Sequence, residues 1–455
     1  MVIFRGAFPR KNDLQVSPRI LAYCDIMIAV KKLSNPLLIL VPLCVGYALS
    51  LFQRVYPSVL APDLMEAFSL DDASFSLISS ATMLGYAITQ IPSGMLADIF
   101  GGRKTLAAYQ VLAGTFCIVF TLCDSLMPAV TCRFLIGLTL ASNVPSYKIL
   151  AAAVPAGKYA LYSAVITASG TFGSLLAASP IVAAAQLIGW RAALAFVGVF
   201  TVFLGAAIWL LIPEYHVHEK SGIDNGSRAS IVRQNAADLI SGLKAVFRMR
   251  TFWLVFAWFM FMIGNHYVLA TTWLGSYLMQ ANGFSKDLAG VCLSVIALLP
   301  LPFMLIIPWF SDRIFHSRKL LLIVGAAVQA AVLMVFCLNR TAPLSFVALT
   351  ALVTTLFTST GGMTPIAFTM IKESVPSSAM ASAIAFINAS GPVYAAVMQG
   401  VVGAAITRGM VSGQPPLAAY ADAFLFLLAG SVIALICSFF MKDTLSPRKK
   451  MSAQA

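Results

Sequence analysis

Long apolar runs separated by short polar gaps organise the whole chain. Twelve runs approach or exceed the roughly 20 residues that a helix needs to cross a bilayer. They occupy 36–61, 74–97, 105–123, 127–152, 158–186, 190–212, 251–280, 286–310, 319–338, 343–371, 378–407 and 417–441. Their spacing predicts an all-α integral membrane protein with twelve transmembrane helices rather than a barrel. Many of the gaps are only a few residues long, which predicts antiparallel hairpins between sequential spans. The longest gap, 213–250, divides the spans into a first bundle over 36–212 and a second over 251–441, with an N-terminal segment 1–35 and a tail 442–455. Inside that gap Ala236–Arg248 carries a helical stripe of Leu239, Ile240, Leu243, Val246 and Phe247, the pattern of a segment lying along a membrane surface.

Composition strengthens this reading. Hydrophobic residues make up 60% of the 455, charged residues only 10%, and the mean hydropathy is +0.88; a soluble domain carries about 25% charged residues. The net charge of +13 does not mark a nucleic-acid surface, because the cations sit in clusters between apolar runs. The N-terminal segment, the 98–104, 154–158, 311–319 and 372–377 loops, the central gap and the tail together hold 23 of the 30 basic residues. The opposite face holds Asp63, Glu66, Asp71 and Asp72 with few cations. Positive-inside counting therefore expects both termini in the cytoplasm; the expected location is a bacterial inner membrane. The N-terminal segment lacks the apolar centre of a secretory signal. Leu14–Val30 as an interfacial helix, and Met27 as the true start, both stay open.

The eight cysteines lie mostly in apolar runs without a CxxC pair and read as small core residues. Cys123 and Cys132 flank one short gap and are the candidates for pairing. His216 and His218 have no cysteine nearby, so neither a metal site nor any other cofactor is expected.

Two gaps repeat each other. Gly94–Leu106 reads GMLADIFGGRKTL and Pro308–Leu322 reads PWFSDRIFHSRKLLL. Each sets an aspartate (Asp98, Asp312) at a span end ahead of a basic pair (Arg103–Lys104, Arg318–Lys319). The first copy resembles the loop 2–3 signature of the major facilitator superfamily, with Ile99 where a basic residue is common there. Arg133–Gly137, RFLIG, resembles the start of that family's fourth helix. The resemblance implies two pseudo-symmetric six-helix bundles with a substrate site between them. It also implies a conformational latch drawn from Gly94, Asp98, Gly101, Arg103, Lys104, Asp312 and Arg133, with Asp98 meeting the segment that opens at Ser377–Ser378. The alternative is that these charges simply stop helices at the lipid boundary.

Charges inside spans are default site candidates. Arg54 in SLFQRVYPSVLAP is the first. The segment, with Ala61–Pro62 eight residues on, resembles the first helix of the anion:cation symporter group, in which such an arginine binds an anionic substrate. Arg54 either makes that contact or reaches its charge to the outer surface. Lys148 either joins it as a second cation or reaches the cytoplasmic face. His266, within a turn of the symmetry mate of Arg54, is the candidate proton carrier or else a packing residue. Gln53, Gln90, Tyr147, Asn265, Tyr267, Trp273, Tyr277, Asn388 and Gln399 are candidate lining residues or helix–helix bonds. Where the symporter group keeps acids, this chain has Gln53 and Ser142–Asn143, and beyond the loop aspartates no carboxylate falls in mid-span, since Asp124, Glu373 and Asp422 lie near span ends, so a carboxylate-based proton switch is not expected.

These features exclude an enzyme: no nucleophile–base constellation, P-loop or metal cluster is legible. The expected function is secondary uptake of a small anionic or zwitterionic solute, an organic acid first, by a monomer coupled to a proton, coupled to a counter-anion or uncoupled. Polycarboxylate siderophores, amino acids and short peptides remain alternatives. A multidrug exporter or a transport-dead sensor fits less well, because an exporter of cations needs embedded acids.

Overall fold

The computed structural model describes residues 36–154, 156–213, 246–375 and 380–445. The N-terminal segment, His216, His218, most of the predicted surface helix, Ser377–Ser378 and residues 446–455 lie outside them. Among the described residues nine helices are long and apolar enough to cross a membrane, and Leu161–Leu176 with Ser179–Ile188 forms a tenth, bent by 41°. The second and fourth crossings are interrupted helices. Asp72–Gln90 gives way to Pro92–Ile99, where Pro92 cannot donate to the helical ladder. Leu126–Gly137 gives way to Asn143–Ala153. The chain thus makes the twelve crossings of a multi-pass membrane protein.

The first span, Pro36–Val59, does not stop where its apolar run weakens. Leu60 N bonds Tyr56 O and Leu64 N bonds Leu60 O, each at 3.0 Å, carrying the helix into Ala61–Phe68. The third span is Gly102–Thr121, the fifth Ala156–Ile188 with its bend, and the sixth Trp190–Leu211. The seventh runs from Arg250 to Ala281 and contains two π-helical turns, Leu269–Trp273 and Tyr277–Ala281. The eighth is Lys286–Phe315, the ninth Arg318–Leu338, the tenth Phe346–Ser374, the eleventh Met380–Val411 and the twelfth Pro416–Phe440.

Caps place several boundaries. Asp71, Ser285, Ser317 and Ser345 each accept a hydrogen bond from the backbone N–H three residues on, at 3.0–3.3 Å, and so start the second, eighth, ninth and tenth spans. The loop expected over 98–104 shrinks to Phe100–Gly101, because helix continues to Ile99 and resumes at Gly102. Gly101 has φ +89°, a conformation that a side chain would strain. The second and fourth spans touch through Gly85 and Gly137. A Cβ on Gly137 would lie 2.3 Å from Thr82 O.

The apolar core forks. One buried cluster joins both halves, from Phe52, Tyr56 and Phe75 to Trp273, Leu333 and Phe424. Toward the end that carries the 100–101 turn, two separate clusters replace it. One holds Leu43, Leu106 and Ile208 of the first six spans. The other holds Phe252, Leu322 and Met370 of the last six. We call the turn's end the near end and the opposite one the far end. The halves share a core toward the far end and have separate cores toward the near end.

Candidate functional site

Arg54 lies about midway along the 33 residues of the extended first helix and is 3% exposed. Its Nε donates to Ser50 O at 3.2 Å. Its guanidinium lies 4.2 Å from the centre of the Tyr86 ring, from the second span. Tyr47 and Tyr267 complete its surroundings, Tyr267 coming from the other half. Nη2 is buried with no hydrogen-bond partner, and among the described residues no carboxylate pairs with Arg54. The side chain is therefore fixed on two sides and has one donor unsatisfied.

Lys148 sits elsewhere. It forms an ion pair with Asp98 at the near end of the second span, half-exposed. Of the two alternatives for Lys148, this is the reach to the near-end boundary and not the second free cation beside Arg54. Tyr147 beside it bonds Thr167 at 2.8 Å. Gln53 is engaged by Arg133, whose Nη2 donates to Gln53 O at 2.9 Å and whose Nη1 donates to Tyr56 OH at 3.1 Å and Gln53 Oε1 at 3.5 Å. Arg133 is fully buried and clasps the fourth span to the first, well inside the bundle rather than in the turn.

In the second half, Asn265 is bonded on both sides of its amide. Its Nδ2 donates to Leu427 O at 2.9 Å and Ser431 Oγ at 3.0 Å, and its Oδ1 accepts from Tyr394 OH at 3.0 Å. Such a bond set holds helices together where lipid offers no competing partner. Trp273 Nε1 donates to Gln399 O at 3.2 Å, and Gln399 Nε2 to Thr271 Oγ1 at 2.8 Å. Trp273 and Tyr277 lie roughly 9–15 Å further toward the far end than Tyr267, at 1.5 Å per residue, so neither shares the level of Arg54. The Tyr277 ring packs against Phe336, Tyr420 and Phe424. His266 packs against Phe357 with ring centres 4.2 Å apart and planes inclined at 45°, and its Nδ1 is buried without a partner. Gln90 Nε2 is likewise buried and unbonded, and Asn388 is half-buried.

Of the turn residues, Arg103 Nη1 donates to Trp209 O at 3.3 Å and Ile212 O at 3.4 Å, tying the third span to the end of the sixth. The second copy of the motif holds Arg318 in a two-point bond to Glu373 at 2.9 and 3.0 Å. The side chain of Asp312 and the partner expected for Asp98 at Ser377–Ser378 lie outside the described residues. Cys123 and Cys132 are free thiols.

The bonds that join the halves gather toward the far end. Gly275 N donates to Ser58 Oγ at 2.8 Å, Ala73 N to Thr407 Oγ1 at 3.0 Å, and Gln186 Nε2 to Asp287 Oδ1 at 2.8 Å; Lys286 pairs with Asp63. Phe75 meets Trp273 edge-on at 6.1 Å. Sequence reasoning missed Tyr47 and Tyr86 around Arg54. Tyr47 carried a signal, since it lies two helical turns before Arg54 on the same face. Tyr86 carried none, because only the packing of the first two spans brings it to the guanidinium.

The chain matches the sequence profile of the Major Facilitator Superfamily over residues 43–398. A protein named probable sulfoacetate transporter, from Cupriavidus necator, is 27% identical over 55% of this chain and 59% of its own length. The 4-hydroxybenzoate transporter of Pseudomonas putida is 25% identical over 50% of this chain and 56% of its own. Both matches span less than two thirds of the relative. The probable galactarate/D-glucarate transporter of Escherichia coli K12 is 23% identical over 89% and 93% of the two chains. Among solved structures, a D-xylose–proton symporter superposes with a TM-score of 0.68 at 16% identity, covering 91% of this chain and 98% of that one. An inward-facing, unoccupied bacterial homolog of the human lysosomal transporter Spinster superposes with 0.67 at 16%, covering 91% and 97%. At that identity the likeness is one of fold.

Proposed function

Since the chain belongs to the major facilitator superfamily, we propose that it is a secondary transporter that moves a small organic anion by alternating access, with Arg54 as the anchor for the anionic group. The observation that carries this reading is the buried guanidinium with an unbonded Nη2 and no carboxylate partner. An uncompensated charge in the middle of a membrane helix is costly. A carboxylate or sulfonate of the substrate supplies both the opposite charge and the missing acceptor. With Lys148 paired to Asp98, Arg54 acts as a single anchor that holds one anionic group of the solute. The relatives are named for sulfoacetate, 4-hydroxybenzoate and glucarate, all organic anions. Positive-inside counting puts the near end in the cytoplasm, and the bacterial relatives favour the inner membrane of a bacterium. The forked core then corresponds to a state closed to the outside; uptake is the direction we propose.

The test is a thermal-shift screen of the purified protein with sulfoacetate, 4-hydroxybenzoate and glucarate as first probes, followed by uptake into proteoliposomes. A ligand that binds the native state raises its stability. Losing one charge-assisted bond costs about 1.5–3 kcal/mol, so Arg54→Ala should weaken binding of an active probe by roughly 10- to 150-fold. Unchanged binding and uptake in a folded Arg54→Ala protein would sink the anchor.

A further inference from the structure

Closure of the far end buries a carboxylate. Asp72 is the first residue of the second span, directly after the exposed cap Asp71, and is 8% exposed. The eleventh span packs on it, so closely that a Cβ on Gly403 would lie 2.9 Å from Asp72 O. From the seventh span Gln280 lies beside its carboxylate, and Gln280 Oε1 accepts from Tyr420 OH of the twelfth span at 2.9 Å. The carboxylate oxygen Oδ1 is buried with no partner. Asp72 is thus wrapped by three spans of the opposite half.

The groups that face it supply no countercharge. Asp71 beside it is a like charge, and Tyr420 is a neutral phenol. On the short helix Ala61–Phe68, Asp63 is committed to Lys286, and Glu66 is acidic and exposed. Arg408 of the eleventh span is exposed. Among the described residues no cation bonds Asp72. The N–H groups at a helix start favour a nearby anion, but Asp71 already takes that position by accepting from Ser74 N at 3.0 Å. A carboxylate buried without a cation is stabilised by taking a proton.

We propose that Asp72 is a proton-binding site of the conformational cycle, filled from far-end solvent as the two bundles close over it. The step is one protonation: the carboxylate oxygen gains a hydrogen from hydronium, and no other bond changes. When the far end opens, water reaches Asp72 and the proton leaves. Protonation therefore favours the closed far end, and loss of the proton favours opening. The inference rests on the rocking of two bundles in the proposed function, but on no substrate.

The experiment measures that rocking without ligand. Nitroxide labels are attached through p-acetylphenylalanine at Leu187 and Val347, which are 84% and 74% exposed on opposite halves at the far end. Distances between them are recorded in nanodiscs from pH 5 to pH 8. The wild-type ratio of long to short distances should rise with pH, by up to about tenfold per pH unit for one proton. Asp72→Asn should hold the short distance at every pH, Asp72→Glu should restore the response, and Asp71→Asn should leave it intact. A wild-type distribution that ignores pH overturns the proposal, and so does an Asp72→Asn protein that keeps the wild-type shift. If Asp72→Asn does not fold, Asp71→Asn and Asp72→Glu decide: loss of the shift in Asp71→Asn overturns the assignment to Asp72. Failure here leaves ligand binding at Arg54 untouched, and the reverse also holds.

Discussion

Gly275 offers the sharpest mechanical test. An alanine there would place its Cβ 1.9 Å from Ser58 O, where real contacts begin near 3.0 Å, so the two backbones must part by about an ångström. Overpacking of this kind costs about 1–3 kcal/mol. The Gly275 N–H bond to Ser58 Oγ, 2.8 Å long, would be lost as well, adding about 0.5–1.5 kcal/mol. Because Ser58 and Gly275 belong to opposite halves, the halves can escape the clash by separating. Gly275→Ala should therefore favour the far-open state by roughly 2–4 kcal/mol, on the order of a hundredfold. Gly173 is the control. A Cβ there would also lie 1.9 Å from a backbone oxygen, that of Ala48, but both residues sit in the first six spans. That strain has no rigid-body escape and should appear as lost thermal stability. The assay is labelling of Ser76→Cys, a fully buried position facing the eleventh span, by a membrane-impermeant maleimide. Gly275→Ala should speed labelling strongly with little change in Tm, and Gly173→Ala should do the opposite. Equal labelling rates in wild type and a folded Gly275→Ala protein would refute the reasoning.

Two further perturbations address the charged clasps. Arg133→Met keeps most of the stem volume but leaves Gln53 O and Tyr56 OH without their donor, at about 1–3 kcal/mol, while Arg133→Ala adds a cavity and should lower the Tm further. Equal melting of the two variants would mean that the stem contributes no packing. Arg318→Ala should cost about 1–3 kcal/mol, because Arg318 is buried but Glu373 is a quarter exposed. A double-mutant cycle with Glu373→Gln should return a coupling above about 1 kcal/mol, and a cycle that closes to zero would remove the pair from the stability of the near end.

Candidate chemistry was unevenly legible. Arg54 stood out because a charge in an apolar run is conspicuous without any knowledge of its neighbours. The same logic selected Lys148 with two alternatives, and the structure places it in the second, at the span boundary. A lysine close to the end of a span can reach a carboxylate at the boundary, and Asp98 is there. Asn265 and Trp273 had the right polarity for a lining, yet their hydrogen-bond capacity is taken by Leu427, Ser431, Tyr394 and Gln399. Asp72 was read only as part of an acidic outer face. Nothing local distinguishes it from Asp71, and it is buried because Gly403, Gln280 and Tyr420 arrive from the other half.

The sequence by itself determined the solvent and the scaffold. Apolar runs of span length must be helical, because lipid offers no partner for backbone groups, and their number and repeat imply two bundles of six. Serines, prolines and glycines between the runs mark most of the breaks, since capping and backbone limits are local. Tertiary structure alone decided which polar groups are free and which are bound. That is a property of pairs: Nη2 of Arg54 is unbonded while both sides of the Asn265 amide are occupied, and only packing assigns the partners. It also decided which end is closed, because Ser58 and Gly275, like Ala73 and Thr407, lie more than 200 residues apart in the chain and meet only when the two halves do.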